Sequence, residues 1–156
     1  MRVSGILLHP TSLPGRHGIG DLGEWAYRFA DFLSDAGQGL WQVLPLGPPA
    51  EDNSPYKACS SVAGNPVLIS LDLLARQGLL SNADVDNCPS FPAGSVDFDG
   101  VAAFKWPLLR KAAHAFFAHA STEAREEFER FCAEKAFWLD RFAEFAALRD
   151  ENGGAL

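Results

Sequence analysis

Ser54-Pro55-Tyr56, with Asn53 before it and Ala63-Gly64-Asn65-Pro66 after it, is the stretch whose residue types are best suited to chemistry. It sets a hydroxyl, a rigid turn and an aromatic platform side by side. That combination suits a sugar, whose apolar ring face stacks on an aromatic while its rim of hydroxyls takes hydrogen bonds. A tyrosine packed into its own loop is the competing reading, and the residues alone leave both open.

Other groupings offer less. Cys59, Cys88 and Cys132 are an odd set, far apart and without a Cys-x-x-Cys pair. They read as reduced thiols of a cytoplasmic protein, neither a disulfide frame nor a zinc site. His114 and His119 have the wrong spacing for two ligands on one helix face. Asp97 and Asp99 flank Phe98 in a turn, where acids cap or solvate, and no carboxylate pair is assigned acid/base work. Gly18-x-Gly20-x-x-Gly23 has dinucleotide-binding spacing, but two prolines separate it from the preceding apolar run Ile6-Leu7-Leu8. The acid expected at the end of the next strand is also missing, so a nucleotide cofactor is not expected.

The sugar-suited loop must be carried by something. Ile6-Leu7-Leu8 and Leu40-Trp41-Gln42-Val43-Leu44-Pro45-Leu46 read as buried strands. Between them, Trp25, Phe29, Phe32, Leu33 and Ala36 stripe a helix, with Asp21 and Glu24 as N-cap and capping-box partner and Gly37 as its stop. Strand, helix, strand at this spacing predicts a parallel βαβ unit, with the Ser54–Tyr56 loop after the carboxyl end of a strand, where α/β proteins keep ligands. Residues 81–100 read as irregular. Phe104, Leu108, Ala112 and Phe116 predict one further helix, with Pro107 near its first turn or at a kink. A second, capped by Ser121 or Thr122, has the core face Phe128, Phe131, Cys132, Trp138, Phe142, Phe145 and Leu148.

Composition narrows the partners. With 13 basic against 20 acidic residues the net charge is −7, which disfavours nucleic acid and anionic membranes. No apolar run approaches the roughly 20 residues of a membrane helix. The N-terminal apolar run is also too short for a signal peptide.

Taken in order, several motifs resemble the opening of the 4-α-glucanotransferases, or amylomaltases (glycoside hydrolase family 77). They are Gly5-Ile6-Leu7-Leu8-His9-Pro10-Thr11-Ser12-Leu13-Pro14-Gly15, His17-Gly18-Ile19-Gly20-Asp21-Leu22-Gly23 and Trp41-Gln42-Val43-Leu44-Pro45-Leu46-Gly47-Pro48. Ser54-Pro55-Tyr56, Ala63-Gly64-Asn65-Pro66, Asp97-Phe98 with Lys105, and Trp138-Leu139-Asp140 to Ala147-Leu148 complete the set. The resemblance implies an α/β fold, the N-terminal part of a (β/α)₈ TIM barrel with a helical insertion after the second strand. Residues 1–74 would supply the first βα units, 75–150 the insertion and 151–156 a truncated end.

It further implies transfer of α-1,4-glucan segments between maltodextrins by a retaining double displacement, with no cofactor and no metal. Nucleophile and acid/base carboxylates would stand about 5–5.5 Å apart. Both are expected on later strands, beyond Leu156, because a complete barrel needs about 200–250 residues. No catalytic residue is therefore expected in this chain. Tyr56 would stack on the glucose beside the cleaved bond, with the Ser54 hydroxyl near that sugar. Phe98 or Trp106 would wall the glucan groove if not simply packed in the core. Lys57 and Val62 depart from the family's usual glutamine and phenylalanine. The alternative is a non-catalytic α-glucan-binding fragment relying on Tyr56.

Overall fold

The computed structural model describes residues 2–50 and 52–152. The sequence end at 153–156, expected to be part of a truncated end, lies outside them. Two short strands, β1 (Gly5–Leu7) and β2 (Leu40–Gln42), pair in parallel with Ile6 opposite Trp41, and helix α1 (Glu24–Asp35) joins them. This is the expected βαβ unit. Gly37 closes α1 at a φ of +68°, a backbone region that suits glycine.

Four details of this unit differ from expectation. The apolar run through Leu46 keeps sheet pairing only as far as Gln42. Pro45 has no N–H to give a ladder, and the chain turns away towards the Ser54 loop. The strands are not buried either, for Leu7 and Leu40 are exposed on a sheet of two strands. On α1 the packed line is Ala26, Phe29 and Leu33, with Phe29 edge-on to Trp41 at 4.9 Å, whereas Trp25 and Phe32 face outward. The N-cap of α1 is Gly23, not Asp21. The Asp21 carboxylate accepts the Gly23 N–H at 2.9 Å and turns inward, towards Lys105.

The tightest packing lies among the helices. Leu71 of α2 (Leu71–Arg76), Val85 of α3 (Asn82–Asp86) and Ala112 of α4 (Phe98–His119) form a core with Leu80, against which Phe104 and Leu108 pack. The α4 stripe is thus as expected up to Ala112, and Phe116 continues it against Phe117 and Phe128. Helix α3 lies in a stretch expected to be irregular. Its start is a capping box, in which Ser81 Oγ accepts the Asp84 N–H and Asp84 accepts the Ser81 N–H. Pro107 sits well inside α4, not in its first turn, so the Ala103 carbonyl lacks its usual helical donor.

The last expected helix is two. Helices α5 (Thr122–Lys135), capped by Ser121, and α6 (Leu139–Glu151) break ahead of Leu139, where Trp138 leaves helical geometry at a φ of −135°. Neither buries a residue, so the stripe from Phe128 to Leu148 is not a core face. Its aromatics split, Phe128 joining Phe116 and Phe117 while Phe142 and Phe145 face a cleft. No helix among the described residues is long and apolar enough to cross a membrane.

Candidate functional site

Downstream of β2 the chain forms a narrow two-legged loop. Pro49 and Ala58 bridge its legs in antiparallel fashion, the Ala50 N–H donates to Lys57 O at 2.9 Å, and the Cys59 N–H donates to Pro48 O at 2.9 Å. Asn53 turns the tip at a φ of +56°, a conformation that asparagine tolerates better than most residues. Asp52 braces the returning leg: Oδ1 accepts the Ser54 N–H at 3.2 Å and Oδ2 lies 2.6 Å from Lys57 Nζ. That lysine holds the Asp52 carboxyl below the usual carboxylate range. The departure at Lys57 thus has a local partner, an exposed pair of small energetic weight.

Pro55–Lys57 is one turn of 3₁₀ helix, with proline at its first position. It presents the Tyr56 ring 74% exposed, so this tyrosine is not packed into its own loop. The Ser54 side chain makes no capping bond to the turn.

Beside this loop lies a cleft of about 480 Å³. The first loop (His9, Thr11) and Leu44–Pro49 form one side, while Phe98 and Trp106 of α4 and Phe142 and Phe145 of α6 form the other. Asn53 and Pro55 reach its wall, whereas Ser54 and Tyr56, their chain neighbours, do not line it. Aromatic and proline walls with a few polar groups are what a pyranose ring requires. Phe98 and Trp106 are exposed to this space, not packed in the core.

His9 is oriented by its own turn. Nδ1 accepts the Thr11 N–H at 3.3 Å and meets Thr11 Oγ1 at 2.7 Å, capping the 3₁₀ turn Pro10–Ser12. The neutral ring proton therefore belongs on Nε2, which is buried without a hydrogen-bond partner among the described residues.

Below the cleft, a buried cation fastens its two sides together. Lys105 of α4, 0% exposed, donates to the Val67 carbonyl at 2.6 Å and lies 3.7 Å from Asp21 Oδ2. Burial lowers the lysine pKa and raises that of Asp21, while their mutual attraction opposes both shifts. Val67 lies in the 3₁₀ turn Pro66–Leu68, entered from Asn65, whose N–H donates to Leu46 O at 2.8 Å. One ammonium therefore connects α4, the glycine-rich loop and the chain after the strand.

The three glycines of that loop are explained by packing. A Cβ on Gly18 would overlap the Phe91 ring, one on Gly20 the Pro10 and Leu13 backbone, and one on Gly23 Ser70. The α1 N-terminus also carries Glu24 in its first turn, which would repel a phosphate. Among the described residues no group of three or more His, Cys, Asp or Glu side chains is placed to hold a metal ion.

The cleft wall also holds His9, Phe142, Phe145 and Arg149, none of them a binding residue expected from the sequence. Phe142 and Phe145 had a visible signal, their helical spacing, which identifies an apolar face without telling what covers it. Arg149 had none.

Comparison with known proteins bears on this arrangement. The sequence pattern of the 4-alpha-glucanotransferase family matches residues 8–156. A 4-alpha-glucanotransferase of Synechocystis is 47% identical over 154 residues, 99% of this chain and 30% of that protein. One from Thermus thermophilus is 48% identical over 153 residues, 98% of this chain and 30% of that protein. A potato relative, 42% identical over 94% of this chain and 26% of its own length, is named as chloroplastic/amyloplastic. Among solved structures, an amylomaltase from Streptococcus agalactiae in complex with acarbose superposes with a TM-score of 0.91 at 40% identity, over 99% of this chain and 31% of that one. The chain thus spans about 30% of the length of the first two relatives.

Proposed function

From the premise that the chain belongs to the 4-alpha-glucanotransferase family, we propose that it is the substrate-binding N-terminal part of an enzyme moving α-1,4-glucan segments between maltodextrins. In this reading residues 1–74 supply the first units of a (β/α)₈ barrel and 75–150 a helical insertion walling the glucan groove. The retaining double displacement is carried out by an aspartate and a glutamate outside these residues. The chain's own residues hold and orient the sugar: Tyr56 stacks on a glucose face, Ser54 hydrogen-bonds its rim, and Phe98 and Trp106 flank the strand of glucan. A cytoplasmic location belongs to the same proposal, on the strength of the three unpaired thiols.

The observation that carries this reading is Tyr56, 74% exposed on a proline-fixed turn whose Pro55 lines the aromatic cleft. Held on a rigid turn and free of packing, the ring is available to stack on a sugar face. The acarbose bound by the streptococcal amylomaltase is a glucan analogue, which supports the same ligand class here. Calorimetric titration of the 156-residue chain with maltoheptaose is expected to show saturable binding that Tyr56→Ala abolishes. Incubation with maltotriose is expected to release no glucose. A flat titration removes the binding role, and sustained glucose release removes the assignment of catalysis to residues elsewhere.

A further inference from the structure

We infer that Arg149 is a positioning residue for the Tyr56 platform, acting by holding both legs of its loop against the cleft. The hydrogen bonds within the loop, Ala50 to Lys57 and Ser54 and Lys57 to Asp52, fix its shape. They do not fix its direction, because every partner moves with the loop. Arg149 comes from 99 residues away in sequence, on the last turn of α6. Its Nη2 donates to the Ala50 carbonyl at 2.7 Å on one leg, and its Nη1 lies 3.7 Å from Cys59 Sγ on the other. A planar guanidinium can span two legs at once, where a lysine offers one point of contact.

The anchor is itself held. The C-terminal end of a helix favours a cation, and the neighbouring Asp150 is bound by Arg110 of α4 at 2.6 Å. A line of contacts thus runs from α4 through α6 to the loop. Its consequence is preorganisation: the ordering of the platform is already in place before the sugar arrives. This deepens, and rests on, the reading of Tyr56 as a sugar platform.

The test uses the 156-residue chain as wild type, Arg149→Met, Arg149→Lys and Tyr56→Ala. Each is titrated with maltoheptaose, melted, and followed by amide hydrogen exchange at Ala50 and Lys57. Arg149→Met is expected to weaken binding about tenfold and to speed exchange at both amides, with the melting temperature unchanged. Arg149→Lys is expected to recover part of both effects. Unchanged exchange in Arg149→Met overturns the inference, as does a global loss of melting temperature, which would mark a general structural role. If Tyr56→Ala abolishes binding while Arg149→Met leaves affinity intact, the platform stands and the inference alone falls. If the wild type does not bind, or Tyr56→Ala changes nothing, the platform reading falls and takes this role with it.

Discussion

Lys105 and Asp21 face one another 3.7 Å apart, the lysine fully buried and the aspartate largely so. Their elements are far apart in sequence, α4 and the glycine-rich loop before α1. Neither group is there for burial's sake, because desolvation drives each towards its neutral form. What the pair supplies is a fixed relation between the two sides of the cleft, reinforced by the Lys105 bond to Val67 O.

Removing one partner is therefore worse than removing both. Lys105→Met leaves a largely buried carboxylate without its cation and Val67 O without a donor, and should cost about 3 kcal/mol. Adding Asp21→Asn removes the bare charge and still allows an oxygen to accept from Gly23. The double variant is expected to be more stable than Lys105→Met alone by at least about 1 kcal/mol. Urea unfolding of the four forms gives this coupling directly, and simple additivity would mean that the pair is not coupled.

His17, 2% exposed, lies against Phe104 with centroids 5.8 Å apart, its Nδ1 3.9 Å from Asp72. Burial depresses its pKa, with Arg16 and Lys105 adding to the effect and Asp72 opposing it. The unfolded chain binds a proton near its ordinary value of about 6.5 that the folded chain resists. This contribution to stability is fully present above that value and is lost as pH falls through the lower, folded one. Melting temperatures measured from pH 8 down to pH 5 should fall for the wild type and fall less for His17→Phe. Equal slopes would remove His17 as the cause.

How much of this was legible depends on how far apart the partners lie in sequence. The βαβ unit was readable because its helix stripe and Gly37 stop are local signals, and the Ser54–Tyr56 stretch stands out only because its chemistry is contiguous. Helix α3 was missed although Ser81-x-x-Asp84 is a capping signal, because five residues are too few to show a period. Asp21 reads as a cap because its nearest sequence context is a helix start, while its cation, Lys105, is far away in sequence. The break at Trp138 carries no proline or glycine to announce it. The Arg149 contacts, made across 99 and 90 residues, leave no trace in local pattern.

The glycine-rich loop gives a sharp contrast between packing and cofactor readings. At Gly20 a methyl group would meet the Pro10 carbonyl oxygen and the Leu13 backbone, none of which is a flexible side-chain end. Gly20→Ala should therefore destabilise the fold by about 2–3 kcal/mol. Gly37→Ala, which meets nothing within 4 Å, bears only the strain of its φ of +68°, about 1 kcal/mol. Denaturant midpoints rank the two. A Gly20→Ala protein as stable as wild type would mean that the loop is looser than the structure shows.

Acid should act on a different joint, where α3 meets α4. Asp84 accepts from Ser81 within the capping box and lies 2.6 and 2.8 Å from Lys111 Nζ. The Lys111 hydrogen bonds, then those from Ser81, hold its carboxyl down at about 2. Because the folded value lies below the ordinary carboxylate range, its contribution is present above about pH 4 and lost as pH falls towards 2. Ser81→Ala removes one acceptor at the helix start and should cost about 1 kcal/mol at neutral pH. Lys111→Met should instead raise the Asp84 titration midpoint, followed by carboxyl-carbon NMR, while leaving the cap in place. Should that midpoint stay near 2 in Lys111→Met, the capping box alone holds the charge and α3 is tied to α4 by packing only.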